Sequence, residues 1–393
     1  MTSWFSPGRI EVLGKHTDYA GGRSLLAALD RGVTVTVSDA ASGLVASTTA
    51  APGAVDLART DLEAGHWARY VQTVVARLSR NFGALPPCRI DVDSTLPLAS
   101  GMSSSSALVV ASALALARHH GLDQTDAWAS TLQTPEDLAT YLACIENGSS
   151  FGPLTGDAGV GTFGGSEDHT AMVCARDGHL AQYRFGPAVA EAYLPFPDHL
   201  SFVVCMSGVL AEKTGAARDL YNRASARAKA VVTRWNEATG HHCDSIGQAL
   251  REVPDARTSL RGAVAGDAEL TTRLEHFFAE SETYVPAAAQ ALAAGDLTTF
   301  GREVADSHRA AAEMLGNVVP QTQALVDLAL ADGAHAASAF GAGFGGSVWA
   351  LVDSEGSDAF AGRWLDAYAS QHPDHAGAAS AVAVHPAGPT REV

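Results

Sequence analysis

The chain has 393 residues, a formal net charge of −17, 47% hydrophobic and 18% charged residues. That length holds about two or three domains, and the composition is that of a soluble globular protein able to build sizeable cores. The charge excludes a nucleic-acid or anionic-membrane surface, which needs clustered Lys and Arg, but not phosphorylated ligands held by local groups. The five cysteines are scattered, with no CxxC pair, which points to reduced thiols in a cytosol and to no zinc site. The start, MTSWFSPGR, lacks a charged region followed by an apolar one, so no signal peptide is expected. The longest apolar run, Ala107 to Ala117, is too short to span a bilayer, so a cytoplasmic protein without a membrane partner is expected.

In chain order, Arg9-Ile-Glu-Val-Leu13 alternates like a short strand with Ile10 and Val12 on one face. Gly14 breaks it. Lys15, His16, Thr17, Asp18 and Tyr19 then stand together before Gly21 and Gly22. Hydrogen-bonding side chains packed that densely suit a polyhydroxylated ligand, whose hydroxyls both donate and accept, although a plain polar surface loop would look similar. Strands are expected over 24–29 and 33–38, and residues 40–56 show no strong period. Trp67, Tyr70, Val71, Val74, Val75 and Leu78 form a helical stripe over 66–80, with Asn81 and Gly83 as stop signals. Arg89 to Asp93 alternates again.

Residues 96–121 read LPLASGMSSSSALVVASALALARHHG. Four serines precede an apolar helix that ends with Arg118, His119, His120 and then Gly121. A helix start offers unpaired N–H groups and about half a positive charge, which together suit an anion; a serine-rich cap with nothing bound is the alternative. Residues 122–147 look helical. GVGTFGGSEDHTAMV, 159–173, is a glycine-rich loop delivering Glu167, Asp168 and His169, or else an ordinary acidic turn. Phe202 to Met206 looks like a buried strand, and 209–335 is Ala rich and largely helical. Gly208, Lys213 and Thr214 nearly form a P-loop, but Glu212 stands at its second glycine, where a carboxylate would repel phosphate. SAFGAGFGGSVWALV, 338–352, satisfies GxGxxG, yet a strand follows it where a dinucleotide site needs a helix. The tail after 380 is expected to fray.

Several of these stretches resemble motifs of one family. FSPGRIEVLGKHTDYAGG is similar to the galactokinase signature, usually GRVNLIGEHTDYNGG, with Lys15 in place of Glu. The serine loop resembles the second motif of the GHMP kinases, PxGxGLSSSA in galactokinases, with Ala99 and Ser100 replacing glycines and some freedom in aligning Ser106. Gly165 and Asp168 align with CGIMDQF, where Ser166, Glu167 and His169 do not. Tyr221-Asn222 matches a landmark of SNVRHSLAGSEYNERR, Ser307-His308-Arg309 matches SHR, and 338–352 fits the third motif, TGGGFGGC before a strand. The chain is identified as a GHMP-superfamily kinase of the galactokinase branch.

The resemblance implies an α/β (α+β), two-domain GHMP kinase fold. A ribosomal-protein-like N-terminal domain, 1–195, would carry the sugar motif and the serine loop. A ferredoxin-like C-terminal domain, 196–393, would carry the glycine-rich third motif. It implies ATP-dependent phosphorylation of the anomeric hydroxyl of galactose or a close relative, with ATP and Mg²⁺ as cofactors. Asp168 would take or orient the O1 proton, with Arg9 beside it. Lys15, His16, Asp18, Gly165 and Tyr221 would hold the sugar. Gly101, Ser103, Ser104, Ser105 and Ser106 would hold ATP, and Ser105 the metal. Lys15 lacks the acceptor of Glu and would suit a sugar carboxylate, so galacturonate- or arabinose-type kinases are alternatives, as is an inactive sugar and ATP sensor. The sequence carries no signal for oligomeric state.

Overall fold

The structure is a computed structural model, and it describes residues 1–63, 65–97, 101–209 and 216–393. Twelve strands are described: β1 (Thr2–Leu13), β2 (Arg23–Asp39), β3 (Leu44–Thr48), β4 (Ala51–Asp56), β5 (Cys88–Ser94), β6 (His179–Arg184), β7 (Val189–Pro195), β8 (Leu200–Met206), β9 (Ala336–Ala339), β10 (Ser347–Asp353), β11 (Ser380–Val384) and β12 (Arg391–Glu392). They form two sheets. The first runs β12-β1-β2-β5-β3-β4, with β6 beside the start of β2 and β7 beside β6. The second runs β11-β8-β10-β9 and is antiparallel throughout.

The two strands expected over 24–29 and 33–38 are one long strand, β2. Its first half pairs with β6 and its second half with β5, while β1 covers the other edge. The β1–β2 register shifts between Pro7 and Arg9 and again between Glu11 and Leu13. Such irregularities re-aim side chains, and these two bracket Arg9 and Glu11. Inward-facing Ile10, Val12, Val35 and Val37 join the apolar helix Ser104–His119 and the helix Ala68–Phe82 in the main core. Ser104–His119 lies beneath the sheet, with Ser106 to Ala117 all buried, so it is apolar around its whole circumference.

A second core gathers the helices Ala216–Thr239, Ile246–Glu252, Ala256–Val264 and Ala268–Ala279 around Trp235 and Phe277. A third lies between the small sheet and the helices Pro320–Ala331 and Ser357–Gln371. Two π-helical turns, Glu280–Tyr284 and Ala311–Leu315, interrupt the helical middle.

The tail does not fray. β11 pairs with β8, and β12 pairs with β1 through Trp4 and Phe5. Backbone partners on two sheets outweigh the Ala, Gly and Pro composition that argued for disorder. Residues 40–56 also hold two short strands, although their side chains show no clear alternation because β4 is largely exposed. Lys213, Thr214 and Glu212, and the replaced glycine positions Ala99 and Ser100, lie outside the described residues. Among the described residues, no helix is long and apolar enough to cross a membrane.

Candidate active site

Strand alternation turns Ile10 and Val12 into the core, which leaves Arg9 and Glu11 on the opposite face. That face meets the start of the helix Glu167–Val173. Arg9 Nε and Nη2 each lie 2.7 Å from Asp168 Oδ1, and Nη1 donates to the carbonyl of Gly101 at 2.7 Å. Asp168 Oδ2 accepts from Ser103 Oγ at 2.5 Å and from Ser106 Oγ at 3.3 Å. Burial disfavours the charge on Arg9, but Asp168, Glu167 and Glu11 around it more than offset this and hold its pKa above the ordinary value. Strand, serine loop and acidic helix therefore meet at one carboxylate. A cavity opens beside it, lined by residues that include Arg9, Glu11, Asp18, Glu167, Asp168 and Tyr221.

The polar loop after β1 supplies one wall. His16 sits at φ 59°, in the left-handed region, and its ring fills both of its bonds. Nε2 lies 3.2 Å from the carbonyl of Ala342 and Nδ1 lies 2.8 Å from the Tyr19 hydroxyl. A carbonyl can only accept, so the proton is assigned to Nε2 and the ring is neutral. Burial, with Arg273 adding repulsion, lowers its pKa to about 4. Asp18 Oδ2 accepts from the backbone of Glu167 at 3.3 Å. A Cβ on Gly165 would lie 2.5 Å from that same oxygen, so only glycine admits the approach. The Tyr221 ring stands 5.1 Å from that of His16. His16, Asp18, Gly165 and Tyr221 thus share one cavity wall.

Lys15 does not join them. It is 2% exposed and its Nζ donates to Ser307 Oγ at 3.0 Å, away from the cavity-lining set. The expectation that Lys15 meets a sugar is corrected on that ground. The π-helical turn carries Glu280 inward, and Glu280 Oε1 accepts from the backbone N–H of Gly14 and Lys15 at 2.8 and 3.2 Å and from Ser307 Oγ at 2.9 Å. The lysine follows this anchored backbone into the protein.

The serine loop divides its labour. Ser103 and Ser106 are buried with their hydroxyls committed to acidic partners, the single Ser106 proton lying between Glu146 Oε2 at 2.8 Å and Asp168 Oδ2 at 3.3 Å. The expectation that these two hydroxyls face phosphate thus meets a structure in which both are engaged by carboxylates, although Ser106 still lines the cavity. Ser104 and Ser105 are half-buried on the first turn of a 16-residue helix, whose leading N–H groups have no partner within the helix. Gly101, at φ 69°, and Gly341, at φ 76°, pack together, since a Cβ on Gly341 would meet the Gly101 carbonyl at 3.3 Å. The third glycine-rich motif therefore buttresses the serine loop.

Sequence reasoning missed Glu11 and Glu146 as cavity-lining groups and named Glu167 and His169 only as neighbours of Asp168 without a role. Glu11 lies two residues past Arg9 on the same strand face, a signal that was available. Glu146 ends a helix and approaches His169 Nε2 at 3.3 Å, a contact across the fold that leaves no local pattern. Among the described residues no group of three His, Cys, Asp or Glu side chains suits a metal. Ser105 does not line the cavity; the Ser106 and Glu146 oxygens do.

The chain was compared with known proteins. Its residues 2–39 match the galactokinase galactose-binding signature, 69–164 the N-terminal domain of GHMP kinases, and 288–370 their C-terminal domain. A galactokinase of Chloroflexus aurantiacus is 30% identical over 372 residues, covering 93% of this chain and 87% of that protein. One from Streptomyces coelicolor is 28% identical, covering 93% and 88%. The structure of Lactococcus lactis galactokinase complexed with galactose superposes with a TM-score of 0.79 at 23% identity, over 100% of this chain and 95% of that one. The mixed helix and sheet architecture is thus that of the GHMP kinases. With a relative at this identity along nearly the whole chain, and a sugar-loop signature on the strand that carries Arg9, the protein belongs to the galactokinase family.

Proposed function

We propose that the chain transfers the γ-phosphoryl group of ATP to the anomeric hydroxyl of galactose or a close relative, with Asp168 and Arg9 as the catalytic couple. The supporting observation is that Arg9 and Ser103 fix both oxygens of Asp168 at a cavity wall, next to the start of the helix Ser104–His119. Phosphoryl transfer is mostly positioning plus stabilisation of charge on the transferring oxygens. Asp168 takes or orients the O1 proton. Arg9, already held by Gly101, stabilises the charge that develops at O1. The unpaired N–H groups at the helix start, with Ser104 and Ser105, take the phosphates. His16, Asp18, Tyr221 and the backbone at Gly165 take the sugar hydroxyls.

Mg²⁺ fits this site. It prefers hard oxygens, commonly one or two carboxylates plus substrate phosphates, and Glu146 with Ser106 Oγ offers such a pair on the cavity wall. When bound, it neutralises charge on the β- and γ-phosphates. We place the two domains at 1–195 and 196–393, supported by the division of β1–β7 and β8–β11 between two sheets. A cytoplasmic location is supported by five cysteines that are all free and buried.

An anionic sugar loses its support. Lys15 is turned away, while Glu11, Asp18, Glu146, Glu167 and Asp168 line the cavity and repel a carboxylate. The test is a panel of galactose, arabinose and galacturonate with ATP, in wild type and in Asp168→Asn. Galactose is expected to lead, and the variant to lose about 10²–10⁴ in kcat while keeping sugar binding. Near wild-type turnover in Asp168→Asn would overturn the assignment.

A further inference from the structure

The helix Ala268–Ala279 packs Leu270, Leu274 and Phe277 into the second core, and beside them it buries a cation, Arg273, at 2% exposure. Among the described residues the bonded partners of Arg273 are all neutral. Its Nη2 donates to the carbonyl of His16 and lies 3.4 Å from the Tyr19 hydroxyl. Nε lies 3.4 Å from the carbonyl of Ala224, and Nη1 lies 3.4 Å from His276 Nδ1. The guanidinium carbon also stands 5.7 Å from the centre of the Tyr19 ring. A buried cation without a bonded carboxylate gains no ion pair to offset its desolvation, so its place is set by the acceptors it satisfies.

Those acceptors belong to both halves of the sugar wall. His16 holds a left-handed φ of 59°, which residues other than glycine seldom adopt, and its carbonyl ends on Arg273. Ala224 lies three residues after Tyr221 on the helix Ala216–Thr239, one turn along. The Tyr221 ring packs 5.1 Å from that of His16 and 6.2 Å from that of Tyr19. The bonds also have a direction. With its proton on Nε2 toward Ala342, His16 accepts at Nδ1, so the Tyr19 hydroxyl gives its one proton there at 2.8 Å and keeps only lone pairs. A guanidinium has donors and no acceptor, which makes it the matching neighbour for that oxygen. After burial, the Arg273 charge is also the largest influence keeping His16 neutral. Burial, with Arg273 next, holds His276 well below the ordinary histidine value, so His276 adds no second cation.

We propose that Arg273 is the positioning residue of the sugar wall: from outside the cavity it holds the His16 turn and the Tyr221 helix together and orients the His16 ring through Tyr19. This rests on the reading of His16, Asp18 and Tyr221 as the groups that take the sugar hydroxyls. Arg273 is not among the cavity-lining residues, so it acts only through what it holds. The Arg9–Asp168 couple is held by Gly101 and Ser103 instead, so the loss of Arg273 falls on galactose before it falls on ATP.

The experiment is calorimetric titration with galactose, together with kcat and KM for galactose and ATP, in wild type, Arg273→Met, Arg273→Lys and Tyr19→Phe. Arg273→Met is expected to raise the galactose Kd and KM about tenfold, the worth of one lost hydrogen bond, while KM for ATP stays within about twofold. Arg273→Lys keeps a cationic donor and should recover part of that loss. Tyr19→Phe leaves Arg273 in place but cuts the link to His16 Nδ1, so it should weaken galactose as well. Combined with Arg273→Met it should cost less than the sum of the two, because both cut one chain of contacts. If Arg273→Met does not fold, Arg273→Lys and Tyr19→Phe carry the test, and unmoved galactose binding in both overturns the proposal. So does unmoved galactose binding in a folded Arg273→Met, an equal weakening of galactose and ATP, or a lysine variant no better than methionine. His16→Ala and Tyr221→Phe test the underlying reading: weak galactose binding in these beside an unmoved Arg273→Met sinks Arg273 alone, whereas full affinity in both means that the sugar wall is misassigned and the inference falls with it.

Discussion

Replacing Lys15 by Met should unfold a large part of this protein's stability, although the side chain touches no substrate. Lys15 is 2% exposed and Glu280 is fully buried. The Ser307 hydroxyl bridges them, accepting from Nζ at 3.0 Å and donating to Glu280 Oε1 at 2.9 Å. Two bonds of that length meeting at a hydroxyl put the charges about 5 Å apart, and an effective dielectric of about 20 then gives roughly 3 kcal/mol of attraction. Removing one partner of a buried pair typically costs about 3–5 kcal/mol, because the remaining charge stays desolvated. The assay is urea unfolding of Lys15→Met, Glu280→Gln and the double variant. Lys15→Met is expected to lose about 3 kcal/mol, and the double variant to recover part of that loss, since no uncompensated carboxylate remains. Lys15→Glu, which restores the usual family residue, should be worse than Lys15→Met because it brings a second carboxylate to Glu280. The ratio of kcat/KM for galactose and galacturonate should not move in Lys15→Met. A loss below about 1 kcal/mol, the range of a solvated surface pair, would refute the buried-cation argument. A shifted sugar ratio would refute the orientation of the side chain.

Two other predictions separate roles that the sequence had pooled. Ser103→Ala removes a donor to Asp168 and should lower kcat about tenfold or more with little change in ATP affinity, whereas Ser104→Ala and Ser105→Ala should weaken ATP and Mg²⁺ use; calorimetric titration with each ligand would expose the reverse order. His308 bonds to the backbone N–H of Ala339 and to Gln323, and burial, with Lys15 next, lowers its pKa to about 4. Between there and the ordinary histidine value the unfolded chain binds the extra proton, so its contribution is complete above about pH 6.5 and is lost as pH falls toward 4, by up to roughly 3 kcal/mol. Glu11 drives stability the opposite way over much of that window, so the quantity to measure is the stability difference between wild type and His308→Asn. A flat difference from neutral to acid pH would show that His308 titrates freely.

How legible the site was depends on how local its causes are. Arg9, His16, Asp18 and the serines lie in two short motifs whose spacing is fixed by a strand and by a helix start, and of these the structure brings Arg9, His16, Asp18 and Ser106 around one cavity. Asp168 was visible through its glycine-rich approach and its match to CGIMDQF, but its partner was not, because Arg9 lies at a separation of 159 residues. Glu146 and His169 meet across the fold and leave no periodic trace. The tail was misjudged because composition measures what a segment prefers alone, while β11 and β12 are held by edges that β8 and β1 offer.

Lys15 marks a different boundary. Aligning it with a sugar-contacting Glu assumed that equal position means equal direction. Direction here is set by backbone that the motif does not encode. Glu280, brought inward by a π-helical turn about 265 residues away, anchors the amides of Gly14 and Lys15. His16 then turns the chain through a left-handed φ of 59°. A lysine next to that anchor finds a carboxylate and a hydroxyl already buried, and pairing with them avoids the cost of leaving Glu280 uncompensated. The same substitution that looked like a change of substrate is therefore better explained as a change of counter-ion. Glu11 sharpens the point, because Lys15 also lies within electrostatic reach of it and opposes its protonation. Charge introduced at one position of the loop is answered by charge at others, and only what remains on the cavity wall can be read by a sugar.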